Sequence, residues 1–330
     1  MNKSFFITLL FLTITPLLVS GCNFHNRTEE RMEAKPFPFV QVPAMLTGEA
    51  AAEYAAGHFW NRYFDSTEVW MAETEDTLIG GVTRQGMTDA VRQYLMTLWS
   101  VSYGKAIETQ KNLMQMAEAS LAADTSGTIY GFLTEAMESA LWNPLSDLRN
   151  EGFYIPVVES IMKTGRTGDH DISYYSRQAA VCLNNRPGTP AADFTFTDAH
   201  GDLHSLYGTS GQYILLLFSN PGCPACREII AMLKDSPLIT GMTEEGRLTM
   251  LSIYIDEDLA GWYRGLADYP DGWITGYNQD LSIRDAMTYD VRAIPSLYLL
   301  DSDRKVIFKD ISPSMLMLQF REHGIDGYRY

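Results

Sequence analysis

The run Cys223-Pro224-Ala225-Cys226 constrains this chain more than any other, because two cysteines three apart face each other only when the segment is the first turn of a helix. Its flanks supply that setting. Upstream, Tyr213 to Phe218 is a continuous apolar run of strand length, ended by the turn-forming Ser219-Asn220-Pro221-Gly222. Downstream, Arg227 to Lys234 places Ile229, Ile230 and Leu233 at helical spacing. A thiol at the start of that helix sits where unpaired backbone N–H groups and the positive end of the dipole stabilise a thiolate. Cys223 is therefore the expected nucleophile and Cys226, a turn deeper, the expected resolving thiol, with Pro224 and Ala225 as the spacer.

The chain has 330 residues, 46% of them apolar, enough for two domains with separate cores. Residues 1–22 stand outside both: Lys3 is a short basic start, Phe5 to Val19 an apolar stretch, and Leu18-Val19-Ser20-Gly21-Cys22 its ending. That ending resembles the lipobox of bacterial lipoproteins. The resemblance implies cleavage before Cys22 and acylation of its thiol, hence a protein anchored in a lipid bilayer; an ordinary secretory signal or an inner-membrane helix is the other reading. Asn23 is not the aspartate associated with inner-membrane retention, so analogy favours the outer membrane.

With Cys22 acylated, Cys182, Cys223 and Cys226 are left, too few for a disulfide scaffold. Export places an exposed C-x-x-C in an oxidising space, which demands either an electron donor or an oxidising role. The formal net charge of −16, shared by both halves, argues against nucleic acid or an anionic membrane surface as partner.

Residues 23–43 are polar and then proline-punctuated (Pro36, Pro38, Pro43), which suits a tether. Residues 44–186 read as an all-helical domain of five or six helices. Val91, Leu95, Leu98 and Val101 share one face, Leu113, Met114, Ala117 and Leu121 another, and Ile129, Leu133, Ala136, Met137 and Ala140 a third. Thr88 and Ser126 are the expected N-caps; Asn143-Pro144 and Gly165 are the expected helix stops. Cys182, in line with Tyr175 and Ala179, is expected to be a small buried hydrophobe.

After the turn-rich stretch Asn184 to Pro190, residues 187–330 alternate short strands with helices. Strands are expected at Phe194–Thr197, Tyr213–Phe218, Thr249–Ile255 and Trp273–Tyr277, with a hairpin of Ser296–Leu300 and Lys305–Lys309 and a last helix at Pro313–His323. The predicted architecture is α + α/β, an all-helical N-terminal domain followed by an α/β domain.

The half from Pro187 to Tyr330 resembles the thioredoxin-fold modules of periplasmic TlpA/ResA-like thiol-disulfide oxidoreductases. The resemblance rests on Gly188-Thr189-Pro190-Ala191-Ala192-Asp193-Phe194, on the strand before Cys223-Pro-Ala-Cys226, and on Ile294-Pro295 directly before a strand. It implies a cis proline at Pro295 and a backbone contact to the substrate chain at Ile294. Three positions depart from the pattern: Gly222 stands where thioredoxins have tryptophan, Leu217 where they bury an acid, and Ile229 where ResA-like members have glutamate. Glu228, one position earlier, is the candidate proton shuttle or a solvated charge. The helical half, with its His58-Phe59-Trp60-Asn61-Arg62-Tyr63-Phe64-Asp65 run, resembles uncharacterised domains that precede thioredoxin-like modules in anchored proteins of Gram-negative anaerobes, which implies architecture and no chemistry.

The resulting expectation is an envelope thiol-disulfide oxidoreductase on the periplasmic side that reduces disulfides of exported proteins and takes electrons from a membrane thiol donor. No cofactor and no resident metal are expected, since zinc on the Cys223/Cys226 pair would need two further ligands. Two alternatives stay open: a client- or ligand-binding lipoprotein, and copper(I) delivery by the two soft thiolates.

Overall fold

The computed structural model describes residues 34–65 and 78–326. The expected signal segment, Cys22, Asn23 and the tether up to residue 33 lie outside the described residues.

The N-terminal half is built from α1 (Gly48–His58), the single turn α2 (Asn61–Phe64), α3 (Arg84–Leu98), α4 (Tyr103–Ser120), α5 (Thr128–Met137), α6 (Glu151–Thr164) and α7 (Ile172–Leu183). A hairpin of two-residue strands, β1 (Leu78–Ile79) and β2 (Val82–Thr83), precedes α3. Two helix starts differ from the sequence expectation. Thr83, not Thr88, caps α3 by accepting from the Gly86 amide, and Thr88 lies inside the helix with its hydroxyl on the Arg84 carbonyl. At α5 the buried Asp124 carboxylate takes the amides of Gly127 and Ile129, and Ser126 donates to that carboxylate instead of capping. A carboxylate with two oxygens satisfies two orphan amides where one hydroxyl satisfies one. The stops hold: α6 ends at Gly165 with φ 67°, a conformation that favours glycine, and α5 runs into a π-helical turn, Glu138–Trp142, that ends at Asn143. The aromatic run is core, with Phe59, Trp60 and Tyr63 packed around Phe37.

The C-terminal half contains β3 (Thr195–Asp198), β4 (Leu203–Ser205), β5 (Tyr213–Phe218), α8 (Pro224–Lys234), α9 (Pro237–Glu244), β6 (Leu248–Tyr254), α10 (Leu259–Gly265), β7 (Ile274–Tyr277), α11 (Ser282–Asp285), β8 (Ser296–Leu300), β9 (Val306–Phe308) and α12 (Pro313–His323). They form a mixed seven-stranded sheet in the order β4-β3-β7-β6-β5-β8-β9. Interior strand β5 runs parallel to β6 and antiparallel to β8. Both of its faces are covered: Leu215 and Leu217 join one core, Ile214, Leu216 and Phe218 the other. That two-sided burial is why its sequence is continuously apolar instead of alternating.

The helical half closes the β9 edge of this sheet. Phe308 meets Trp99 of the helical core, ring centres 6.1 Å apart, and one hydrophobic core runs from α3–α6 into the α8/α12 face. The segment after α7 covers the rest of the edge, with Gly188 donating to the Val306 carbonyl and Val306 to that of Thr189. An edge strand paired and covered in this way offers no template for another chain.

Candidate active site

Strand β5 delivers the chain to Ser219-Asn220-Pro221-Gly222, and Cys223 is the N-cap of α8 with Pro224 at the first helical position. Proline fits there because its missing N–H would have had no helical partner. Cys223 is partly exposed and Cys226 fully buried, both as free thiols. The Cys223 amide donates to the Asn220 carbonyl at 2.9 Å, the Asn220 amide donates to Cys226 Sγ at 3.4 Å, and Arg227, exposed, donates to the Pro221 carbonyl at 3.0 Å. Asn220 is thus the centre of the turn. Its side chain also accepts from the Gly222 amide at 2.8 Å and donates to Asp256 at 2.7 Å.

Burial pushes the Cys226 thiol up to about 12, against the lowering effect of the Asn220 amide; neighbouring Cys223 and Asp256 add to the rise. The buried Ser219 hydroxyl lies 2.8 Å from both Ser252 Oγ and Tyr269 Oη, so a three-hydroxyl cluster occupies the sheet beneath the turn. Burial raises the Tyr269 phenol as well. Leu217 is buried in the apolar core, and Glu228 is exposed on α8. The carboxylate electrostatically coupled to Cys226 is that of Asp256, from the end of β6.

The Ile294–Pro295 peptide is cis. Phe218 pairs with Ser296 in the β5–β8 ladder, so this peptide lies one step past the register, beside the start of the Cys223–Cys226 turn. Ile294 and Pro295 are both partly exposed. The structure therefore brings Cys223, Cys226, Ile294 and Pro295 to one end of the sheet, while Cys22 lies outside the described residues. Asn220, Asp256 and Tyr269 escape sequence reading because each looks like an ordinary loop or surface residue. A 340 Å³ depression beside the turn is lined by Asn220, Pro221, Gly222, Asp258 and Arg264.

Two family profiles match: a domain of unknown function, DUF5106, over residues 20–185, and a thioredoxin-like domain over residues 211–306. A crystal structure of a thioredoxin-like protein from Bacteroides caccae is 31% identical, with 87% of this chain and 99% of that one covered at a TM-score of 0.69. The chain belongs to this thioredoxin-like family. The C-terminal domain of an uncharacterised Bacteroides fragilis protein is 43% identical over 42% of this chain and 99% of that one (TM-score 0.41). The thioredoxin domain of a thiol-disulfide oxidoreductase from Bacteroides vulgatus is 22% identical over 41% and 96% (TM-score 0.37). No curated protein matches.

In this thioredoxin-like chain, the DUF5106 region and the thioredoxin-like half share a buried ionic cluster. Glu151 at the start of α6 pairs through one oxygen with Arg292 and through the other with Lys309 Nζ at 2.5 Å. Lys309 also donates to the carbonyls of Val181 and Asn184. Arg149 pairs with Asp310 at 3.2 Å, and Asp310 accepts from Ser296 at 2.7 Å. Cys182 is fully buried beside this cluster; burial and the Glu151 charge hold its thiol well above the ordinary range. That environment suits an inert core thiol.

Proposed function

We propose that this chain is a lipid-anchored envelope thiol-disulfide oxidoreductase that reduces disulfides of exported proteins through the Cys223/Cys226 dithiol. The observation that carries the reading is the asymmetry of the pair: a partly exposed thiol on the N-cap residue of a helix, and a fully buried thiol whose sulfur is held by the Asn220 amide.

The Cys223 thiolate attacks one sulfur of a substrate disulfide, that S–S bond breaks, and one substrate thiolate leaves. Cys226 then loses its proton and attacks Cys223 Sγ, releasing the second substrate thiol. The substrate has gained two electrons and the chain holds a Cys223–Cys226 disulfide. Ile294 and Pro295 offer backbone beside the mixed disulfide. A membrane thiol donor would return the electrons, and acylation of Cys22 would hold the protein at the bilayer, the outer membrane being favoured. Among the described residues no helix is long and apolar enough to cross a membrane.

The test is equilibration of the pair against graded glutathione and dithiothreitol buffers, read by thiol alkylation and mass. A potential near about −270 mV supports a reductase, and one near about −120 mV an oxidant. A pair that never cycles, or cycles only after a bound metal is stripped, sinks the reading in favour of binding or copper(I) delivery.

A further inference from the structure

We infer that the helical half sets the position of the Ile294–Pro295 loop through Arg292, which makes Arg292 a positioning residue for the dithiol reaction. The inference rests on the oxidoreductase reading above and assigns the helical half a part in it.

Arg292 is held by two residues remote in sequence, Trp142 and Glu151, and by its near neighbour Asp290. One terminal nitrogen donates to the Trp142 carbonyl at 2.6 Å, the other to Glu151, and Nε pairs with Asp290 at 2.5 Å. The guanidinium carbon lies 3.6 Å from the centre of the Trp142 ring, and that ring stacks in turn on Tyr154, centres 5.7 Å apart. A planar fork hydrogen-bonded at both terminal nitrogens, ion-paired at Nε and stacked on an aromatic face has one orientation. The π-helical turn Glu138–Trp142 is the device that presents this receptor. It ends the helix at Asn143, leaving the Trp142 carbonyl free to accept from Arg292 and that of Leu141 to accept from the Asn150 amide. Single π turns in helices frequently mark functional positions.

The loop is gripped on its other side too. Ser296, directly after Pro295, is buried and donates to Asp310, whose second oxygen accepts from Arg149 of the helical half. Between the two anchors only Ala293, Ile294 and Pro295 are spanned, all partly exposed and adjacent by register to the redox turn. Three residues fixed at both ends have little freedom to reorient, so the helical half pre-organises the substrate-contacting backbone without touching the sulfurs. Pre-organisation of this kind lowers the ordering cost of binding.

The test uses the whole chain and three variants: Arg292→Lys, which keeps the charge but not the fork or the stack; Trp142→Leu, which removes the ring and keeps the carbonyl; and Trp142→Phe, which restores an aromatic face. Turnover is measured on a self-quenched, disulfide-linked dye peptide with dithiothreitol as reductant, alongside the rate of iodoacetamide alkylation mapped to Cys223. Expected for Arg292→Lys and Trp142→Leu is a loss of kcat/KM of ten-fold or more, mostly in KM, with Cys223 alkylation within two-fold of wild type; Trp142→Phe recovers most of the loss. The inference is overturned if the folded Leu variant keeps kcat/KM within two-fold, or if Cys223 alkylation falls in parallel with turnover. A wild-type chain that is alkylated at Cys223 but never reduces the peptide defeats the oxidoreductase reading itself, and the inference with it.

Discussion

Lys309 Nζ lies 2.5 Å from Glu151 Oε2 with both side chains only 2% exposed, an ion pair that joins the end of β9 to the start of α6. Without Lys309, Glu151 is left with Arg292 alone, a cation it shares with Asp290, so the buried cluster keeps two carboxylates against one guanidinium, which is costlier than the pair is stabilising. Lys309→Met would also strip a donor from the Val181 and Asn184 carbonyls. The expected loss is about 3–5 kcal/mol, seen as a lower urea midpoint at unchanged m-value. A loss below about 1 kcal/mol would mean that water replaces the lysine, and the junction would then not be dry.

The same cluster makes stability depend on pH. Burial raises Asp290 to about 6, with Glu151 adding to the rise and Arg292 opposing it; burial likewise raises Asp310 to about 6 against Arg149. A carboxyl whose folded value exceeds its unfolded value of about 3.9 binds its proton more tightly when folded. Its contribution is complete below pH about 4 and is lost as pH rises through about 6. Asp198, lowered to about 2 chiefly by its His204 hydrogen bond, acts in the opposite sense below pH about 4. Asp290→Asn should therefore flatten the fall in melting temperature between about pH 4 and 6. Melts in a buffer series check it, and parallel wild-type and variant curves would sink the idea.

The three described cysteines should separate sharply towards an alkylating reagent at pH 7.5. Cys223 is accessible, Cys226 is pushed up to about 12, and Cys182 is shifted further in the same direction. Since the thiolate is the reacting form, iodoacetamide on the reduced, folded chain should label Cys223 at least 100-fold faster than the other two. Peptide mapping by mass reads this directly. Comparable labelling of Cys226 would invert the assigned roles.

Gly265, the last residue of α10, lies against Pro221 in the turn before Cys223. A Cβ there would sit 2.2 Å from Pro221 Cβ and 2.6 Å from its Cγ. Gly265→Ala must displace Pro221, with an overpacking cost of about 1–3 kcal/mol. The displacement should also shift the Cys223–Cys226 equilibrium constant with glutathione, because Pro221 lies two residues before Cys223 and its carbonyl holds Arg227. An unchanged constant in a folded variant would show that the sulfurs do not sense the turn.

Much of this is legible along the chain, for identifiable reasons. Tyr213–Phe218, Ser296–Leu300 and Pro313–His323 have the observed bounds as read from the residues, because a run buried on both faces, a hairpin partner and a helix opened by Ser312 and Pro313 declare themselves locally. Strand β4 and helix α9 were not legible. Leu203 and His204 are exposed, so β4 shows no apolar pattern, and α9 is eight residues with few buried positions. Thr88 looks like a cap until the fold shows Thr83 starting the helix a turn earlier.

What the sequence by itself determined is the two-cysteine turn and its setting: a strand, a turn and a helix opening on Cys223-Pro-Ala-Cys226, all formed by residues close in the chain. Only the tertiary structure decided what surrounds that turn. Arg292 reaches Trp142 and Glu151 across 150 and 141 residues, and Asn220 reaches Asp256 across 36. In sequence each of these is a polar residue that water would satisfy. Their roles exist only after folding has removed the water, because a buried charge or amide must then take whatever partner the packing of distant segments supplies.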